Sequence, residues 1–279
     1  MLRHRLMLGP IMVVAVVLVL WLDVYLEESF DRVGLAFGAL LGLLVGMSGW
    51  ELARILRANG VRVSTVISVF AALMGLSATV LWPSEAHAAG TGAVIVMLVA
   101  LLTHVRHRTV EGVVAAAGGV MLVYVYLGVQ AAFWILIRFE HGAWVALWLA
   151  FVTKSCDIGA FFTGRSLGKH KLVPWLSPGK TWEGLVGGVL TSGLISMLGL
   201  WILRSTGEDP GIAFVWAGFL GVMIGVLGQL GDLIASLFKR DAGRKDASRS
   251  LPGFGGWLDV IDSLLLVGPF AYWAFRSMG

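Results

Sequence analysis

Between Gln229 and Asp262 the chain reads QLGDLIASLFKRDAGRKDASRSLPGFGGWLDVID: an apolar segment, a dense charged loop, and a second apolar segment. On a helix Gln229, Asp232, Ser236 and Lys239 share one face, and Asp259 and Asp262 share a face of the next helix. A carboxylate inside a membrane span costs about 2.5–3.5 kcal/mol on insertion scales unless it has a partner. Three of them bracketing Lys239, Arg240, Arg244, Lys245 and Arg249 therefore mark a charged site. Oxygen-only acidic groups beside basic ones suit Mg2+, a hard cation usually held by one or two carboxylates and substrate phosphates. Asp232 and Asp259 fall at the ends of consecutive helices that can pack antiparallel, with the loop left to bind phosphates. The chemistry that fits is phosphoryl or nucleotidyl transfer at a membrane surface. A cation-coupled transporter also buries carboxylates in membrane helices, but typically near mid-bilayer and on broken helices.

A second polar stretch lies upstream. Lys154 and Asp157 are three residues apart on an apolar segment, which exits into a basic loop containing SPGKTWEG. Ser177, Pro178, Gly179, Lys180 and Thr181 suggest a tight turn with free backbone N–H groups, a lysine and hydroxyls at a helix entrance, tools that serve for phosphate. The GxxxxGK[ST] spacing of a P-loop is missing. Plain helix capping by Ser177 or Thr181 is an equal alternative, although Thr181 and Glu183 are too close for a capping box. The six histidines show no metal-ligand spacing, and the single cysteine, Cys156, reads as a small apolar residue in a helix interface.

The elements that must carry these groups are membrane helices. The chain of 279 residues is 58% hydrophobic and 14% charged, with mean hydropathy +0.86, against about 45–50% and about 25% in soluble domains. The expected fold is an all-α polytopic membrane protein with about nine spans, near 6–22, 33–52, 63–82, 90–105, 112–137, 142–163, 184–204, 211–237 and 257–275. One of these boundaries divides 112–163 at RFEHG. Sixteen Lys and Arg fall in the N-terminus and alternate loops and four on the other side, which places the N-terminus and both basic loops in the cytoplasm. Residues 1–141 then read as a transmembrane scaffold. Residues 142–279 read as a catalytic transmembrane region with cytoplasmic loops 164–183 and 238–256. The outer connections, with Asp23, Glu27, Glu28 and Asp31, read as solvated loops, and Glu51 with Arg54 reads as a local i,i+3 ion pair. Arg3 and Arg5 precede the first apolar run, but no cleavage site follows it, so the run reads as a retained helix.

The region also resembles a known family. Ser236, Lys239, Arg240, Lys245, Asp246, Pro252, Gly255, Gly256, Asp259 and Asp262 fall in register with the C-terminal signature of the phosphatidate cytidylyltransferases (CDP-diacylglycerol synthases). GQLGD matches too, as do Asp157, Ala160, Gly164, Gly168, Lys169, Ser177, Pro178, Lys180, Thr181, Glu183 and Gly184. Phe254 stands where that signature has histidine, Val260 where it has arginine, and Gly179 where SPKKT has lysine. The resemblance covers about residues 150–275 and implies condensation of CTP with phosphatidic acid to CDP-diacylglycerol and pyrophosphate. It implies Mg2+ on Asp232 and Asp259, with Asp262 serving the metal shell or a second, monovalent cation. Lys239, Arg240 and Lys245 would bind the triphosphate and Asp246 would orient one of those cations. Ser177, Lys180 and Thr181 would close the phosphate site with Asp157 behind them, and Ser236 would line it. It further implies a homodimer in a bacterial cytoplasmic membrane, among membrane lipids, with the active site facing the cytoplasm and no nucleic-acid partner. The alternatives are a CTP-dependent enzyme acting on another lipid phosphate, and a transporter or a homologue with impaired catalysis.

Overall fold

The computed structural model describes residues 2–31, 33–82, 87–106, 110–248 and 250–278. Arg32, His107, Arg108 and Arg249, and the side chains of Arg3, His4, Arg5 and Arg106, lie outside the described set. The described residues form ten α-helices in order: α1 (Leu2–Phe30), α2 (Leu35–Ala58), α3 (Thr65–Leu81), α4 (Ala88–Arg106), α5 (Val113–Val123), α6 (Gln130–His141), α7 (Ala143–Leu167), α8 (Trp182–Ser205), α9 (Phe214–Asp241) and α10 (Trp257–Met278). A π-helical segment, Tyr124–Val129, fuses α5 to α6. Among the described residues eight helices are long and apolar enough to cross a membrane, and α3, at 17 residues, is a shorter apolar one. The expectation of about nine membrane helices and a nearly all-α fold holds. The break at RFEHG is real: α6 ends at His141, Gly142 turns at φ +90°, and α7 begins at Ala143.

The chain divides into two compact units. One contains Met1–Val19, Leu35–Leu136 and Phe238–Ile261; the other contains Leu20–Gly34, Ile137–Leu237 and Asp262–Gly279. In the first, α3 packs against the π segment so closely that a Cβ on Gly128 would collide with the Ala72 carbonyl, and one on Gly75 would lie 2.7 Å from the Tyr124 carbonyl. Small residues let apolar helices approach to backbone contact, where dispersion and weak polar contacts replace the hydrophobic effect as the cohesive force. The Tyr124 hydroxyl donates to the Ala89 carbonyl of α4 at 2.5 Å.

In the second unit the same device joins α7 to α8. A Cβ on Gly188 would lie 2.6 Å from the Cys156 carbonyl, and Gly159 and Gly187 sit against Thr191 and Thr163. Cys156 is fully buried with its thiol 3.4 Å from the Gly225 carbonyl, as an interface residue should be. Two expectations are corrected here. Asp23 and Glu27 do not lie in a solvated loop, because α1 continues to Phe30; Asp23 is fully buried and, with Glu27, receives the guanidinium of Arg138 at 2.7 and 2.5 Å. Nor is 164–183 an open loop. α7 continues to Leu167, and an antiparallel hairpin of β1 (Lys171–Val173) and β2 (Ser177–Thr181) leads into α8.

Candidate active site

SPGKT is therefore a strand rather than a turn, since Val173 pairs with Ser177 and Lys171 with Thr181, which commits this backbone to β1. Pro178 is tolerated because a two-stranded hairpin has only edge strands. Thr181 ends the strand and caps α8, its Oγ1 accepting from the Gly184 N–H at 3.1 Å. Its side chain fills a socket of glycines: a Cβ on Gly164, Gly168 or Gly184 would come within 3.0 Å of Thr181 Oγ1. Glu183 turns the other way, with Oε1 2.6 Å from His170 Nδ1.

With Thr181 fixed, Lys180 points across to α9, where its Nζ lies 2.7 Å from Asp232 Oδ2 and 3.4 Å from the Gln229 carbonyl. One turn before Asp232, the Gln229 side-chain amide donates to Asp157 Oδ1 on α7 at 2.8 Å. One turn along α7, Lys154 Nζ donates to Ser263 Oγ at 2.6 Å, and the neighbouring Asp262, buried, accepts from the Ser263 N–H. A cavity of about 320 Å³ opens against this row, lined among others by Asp157, Gly164, Lys180, Thr181 and Gln229, at the small end of ligand-pocket volumes. Ser177 and Ser236 are half-buried.

In the unit that contains residues 238–261, Lys239 is buried and its Nζ lies 2.5 Å from Asp259 Oδ1. Asp259 Oδ2 accepts from the Ala247 and Gly256 N–H groups at 3.0 and 2.8 Å. Arg240, Lys245 and Asp246 are exposed. Phe254, at the histidine position of the resemblance, lies against α1, its ring 3.7 Å from the place of a Cβ on Gly9.

Glu51 belongs with this group, and the expected local pair with Arg54 is corrected. Arg54 stacks over Trp50, while Glu51 is fully buried and accepts from the Ser248 hydroxyl at 2.6 Å and the Leu258 N–H at 2.9 Å. A Cβ on Gly256 would run into its carboxylate.

Asp232 and Asp262 in one unit, and Asp259 in the other, each offer oxygen donors of the type a hard cation takes. Among the described residues no three His, Cys, Asp or Glu side chains gather as a ligand set; Mg2+ needs only one or two carboxylates when substrate phosphates complete its shell, so the donor chemistry suits it. A carboxylate offers about four acceptor positions, and Asp259 has three in use.

The chain is similar to known proteins over part or most of its length. The chain is 41% identical over 132 residues to the phosphatidate cytidylyltransferase of Haemophilus influenzae, covering 47% of this chain and 45% of that protein. It is 38% identical over 157 residues to the phosphatidate cytidylyltransferase of Bacillus subtilis, covering 56% of each. Against the phosphatidate cytidylyltransferase of Synechocystis the identity is 30% over 270 residues, 86% of this chain and 88% of the other. The chain thus spans about half the length of the first two relatives and most of the third. A sequence profile of the cytidylyltransferase family matches residues 3–278, and the chain belongs to that family.

Proposed function

We propose that this membrane protein transfers the cytidylyl group of CTP to phosphatidic acid, giving CDP-diacylglycerol and pyrophosphate. The observation that carries the reading is the ion pair of Lys180 with Asp232, which joins the SPGKT and GQLGD motifs at one cavity. In the reaction a phosphate oxygen of the lipid bonds to the α-phosphorus of CTP while the bond from that phosphorus to the bridging β-phosphate oxygen breaks. The electron pair leaves with pyrophosphate. The attacking oxygen is already anionic, so no strong general base is needed.

Lys180 offers a positive charge to a phosphate at the cavity, and Asp232 holds that ammonium in place until substrate competes for it. Gln229 orients Asp157, keeping a carboxylate behind the phosphate position. Arg240 and Lys245, exposed on and after the last turn of α9, attract the triphosphate, and Asp246 orients one of them. Lys239 neutralises Asp259. Ser177 and Thr181 hold the hairpin that presents Lys180, and Ser236 faces the same side of α9 as Asp232. Asp232 and Asp262 of one unit and Asp259 of the other are the carboxylates that would serve Mg2+, which would lower the charge cost at phosphorus during in-line displacement. The site would face the cytoplasm of a bacterial cell.

Purified protein in detergent, given CTP, Mg2+ and phosphatidic acid with each omitted in turn, tests the reading. Pyrophosphate release requiring all three supports it. Release with an isoprenoid-type lipid phosphate but not with phosphatidic acid would move the acceptor, and accumulation of substrate in vesicles without pyrophosphate would replace the enzyme by a transporter.

A further inference from the structure

We propose that Glu51 of α2 is a positioning residue for this reaction, clamping the base of the 247–258 loop so that Asp259 is presented in one orientation. This rests on the cytidylyltransferase reading and deepens it. The two carboxylates divide the work symmetrically. Asp259 accepts from Ala247 at the start of the loop and from Gly256 at its end. Glu51 accepts from Ser248, one residue further in at the start, and from Leu258, two residues further on at the end. Each carboxylate therefore ties the loop's two ends together, and the pairs are interleaved. Ser248 Oγ passes the constraint inward by accepting from the Ser250 N–H at 3.0 Å. The tip is separately folded by the Leu251–Gly255 bridge, with Gly253 and Gly255 at φ +87° and +92°.

The energetic reason for a fully buried Glu51 is the start of α10. The first N–H groups of a helix lack intrahelical partners and present about half a positive charge. Leu258 is the second residue of α10, and Glu51 satisfies its N–H from another helix. Asp259 follows immediately and, from the first turn, bonds back to Gly256. Without Glu51 the base of the loop loses its bonds from Ser248 and Leu258 and rests on those to Asp259, and the N–H of Leu258 in the first turn of α10 loses its acceptor. Asp259 then has freedom that the intact clamp denies it. A displacement of about 1 Å in a reacting constellation can cost on the order of 100-fold in rate.

The test compares wild-type protein with Glu51→Gln, Glu51→Ala and Ser248→Ala in two measurements: amide hydrogen exchange across 247–258, and pyrophosphate release with kcat, KM for CTP and half-activating Mg2+ determined separately. Glutamine can accept from Leu258 N–H through its oxygen and donate to Ser248 Oγ through its amide, so Glu51→Gln should recover most of the protection and rate. Glu51→Ala should raise exchange across the loop about tenfold or more and lower kcat about 10–100-fold. Half-activating Mg2+ should rise, and KM for CTP should change little. Ser248→Ala, which removes only the loop half of the clamp, should shift both measurements in the same direction by less. Wild-type exchange in Glu51→Ala, or Glu51→Gln as impaired as Glu51→Ala, overturns the proposal. Wild-type protein that releases no pyrophosphate with any lipid phosphate overturns the cytidylyltransferase reading instead, and the exchange comparison alone then decides whether the clamp exists.

Discussion

Lys180 and Asp232 form an ion pair of 2.7 Å between β2 and α9, with their side chains 17% and 34% exposed. That partial exposure sets its meaning. A pair this open to water contributes little to stability, yet it leaves a lysine and a carboxylate poised where a charged ligand can exchange with either. Asp232→Asn and Lys180→Met should each lower turnover about 100- to 1,000-fold, the range seen when one transition-state charge contact is lost. Both should unfold within a few degrees of wild type. The double variant should be little worse than either single one, because groups that act as a unit lose their function together. Pyrophosphate release and thermal unfolding in detergent measure both halves of this expectation.

Removal of divalent cations should stop the reaction without unfolding the protein. Chelation with EDTA should abolish pyrophosphate release, and Mg2+ should restore it. The buried Lys239–Asp259 pair keeps the start of α10 neutralised in the absence of metal, so the unfolding temperature should move little on chelation.

Asp259 should behave differently from Asp232 on mutation. Asp259→Asn removes the carboxylate that pairs with the buried Lys239 ammonium, and breaking a buried pair from one side costs about 3–5 kcal/mol. Loss of stability should accompany loss of turnover, and adding Lys239→Met should return part of the stability and none of the rate. Thermal unfolding of the three variants checks it.

The helices and the motif pairs are legible in the sequence because both depend on short-range periodicity. Gln229, Asp232 and Ser236 repeat at helical spacing, and a span of about 20 apolar residues identifies itself. Glu51 is not legible: Arg54 three residues away offers a local partner, while its actual partner Leu258 lies 207 residues on. Asp23 is hidden for a similar reason, since polarity at the end of an apolar run looks the same whether water or the guanidinium of Arg138 receives it. The hairpin is hidden because Pro178 and Gly179 resemble turn residues, whereas the chain reverses at Pro174–Leu176 and the strand tolerates proline at an unpaired edge.

Arg138 gives a prediction confined to stability. Its side chain is 3% exposed and Asp23 fully buried, so Arg138→Met removes the cation facing a buried carboxylate and should cost about 3–5 kcal/mol. Turnover per folded molecule should be unchanged, because the guanidinium is engaged by Asp23 and Glu27. Unfolding temperature and active-fraction-normalised rates separate the two effects.

The interleaved carboxylates also bear on how this protein can be divided or recombined. Residues 150–275 hold the recognisable motifs and would be the natural segment to graft between relatives, yet the start of α10 is completed by a side chain from α2. A hybrid that joins this chain's second half to another's first half therefore inherits the motifs without the residue that seats them, unless a carboxylate occupies the place of Glu51. Compatibility at that one position, more than overall identity across the junction, should decide which hybrids work.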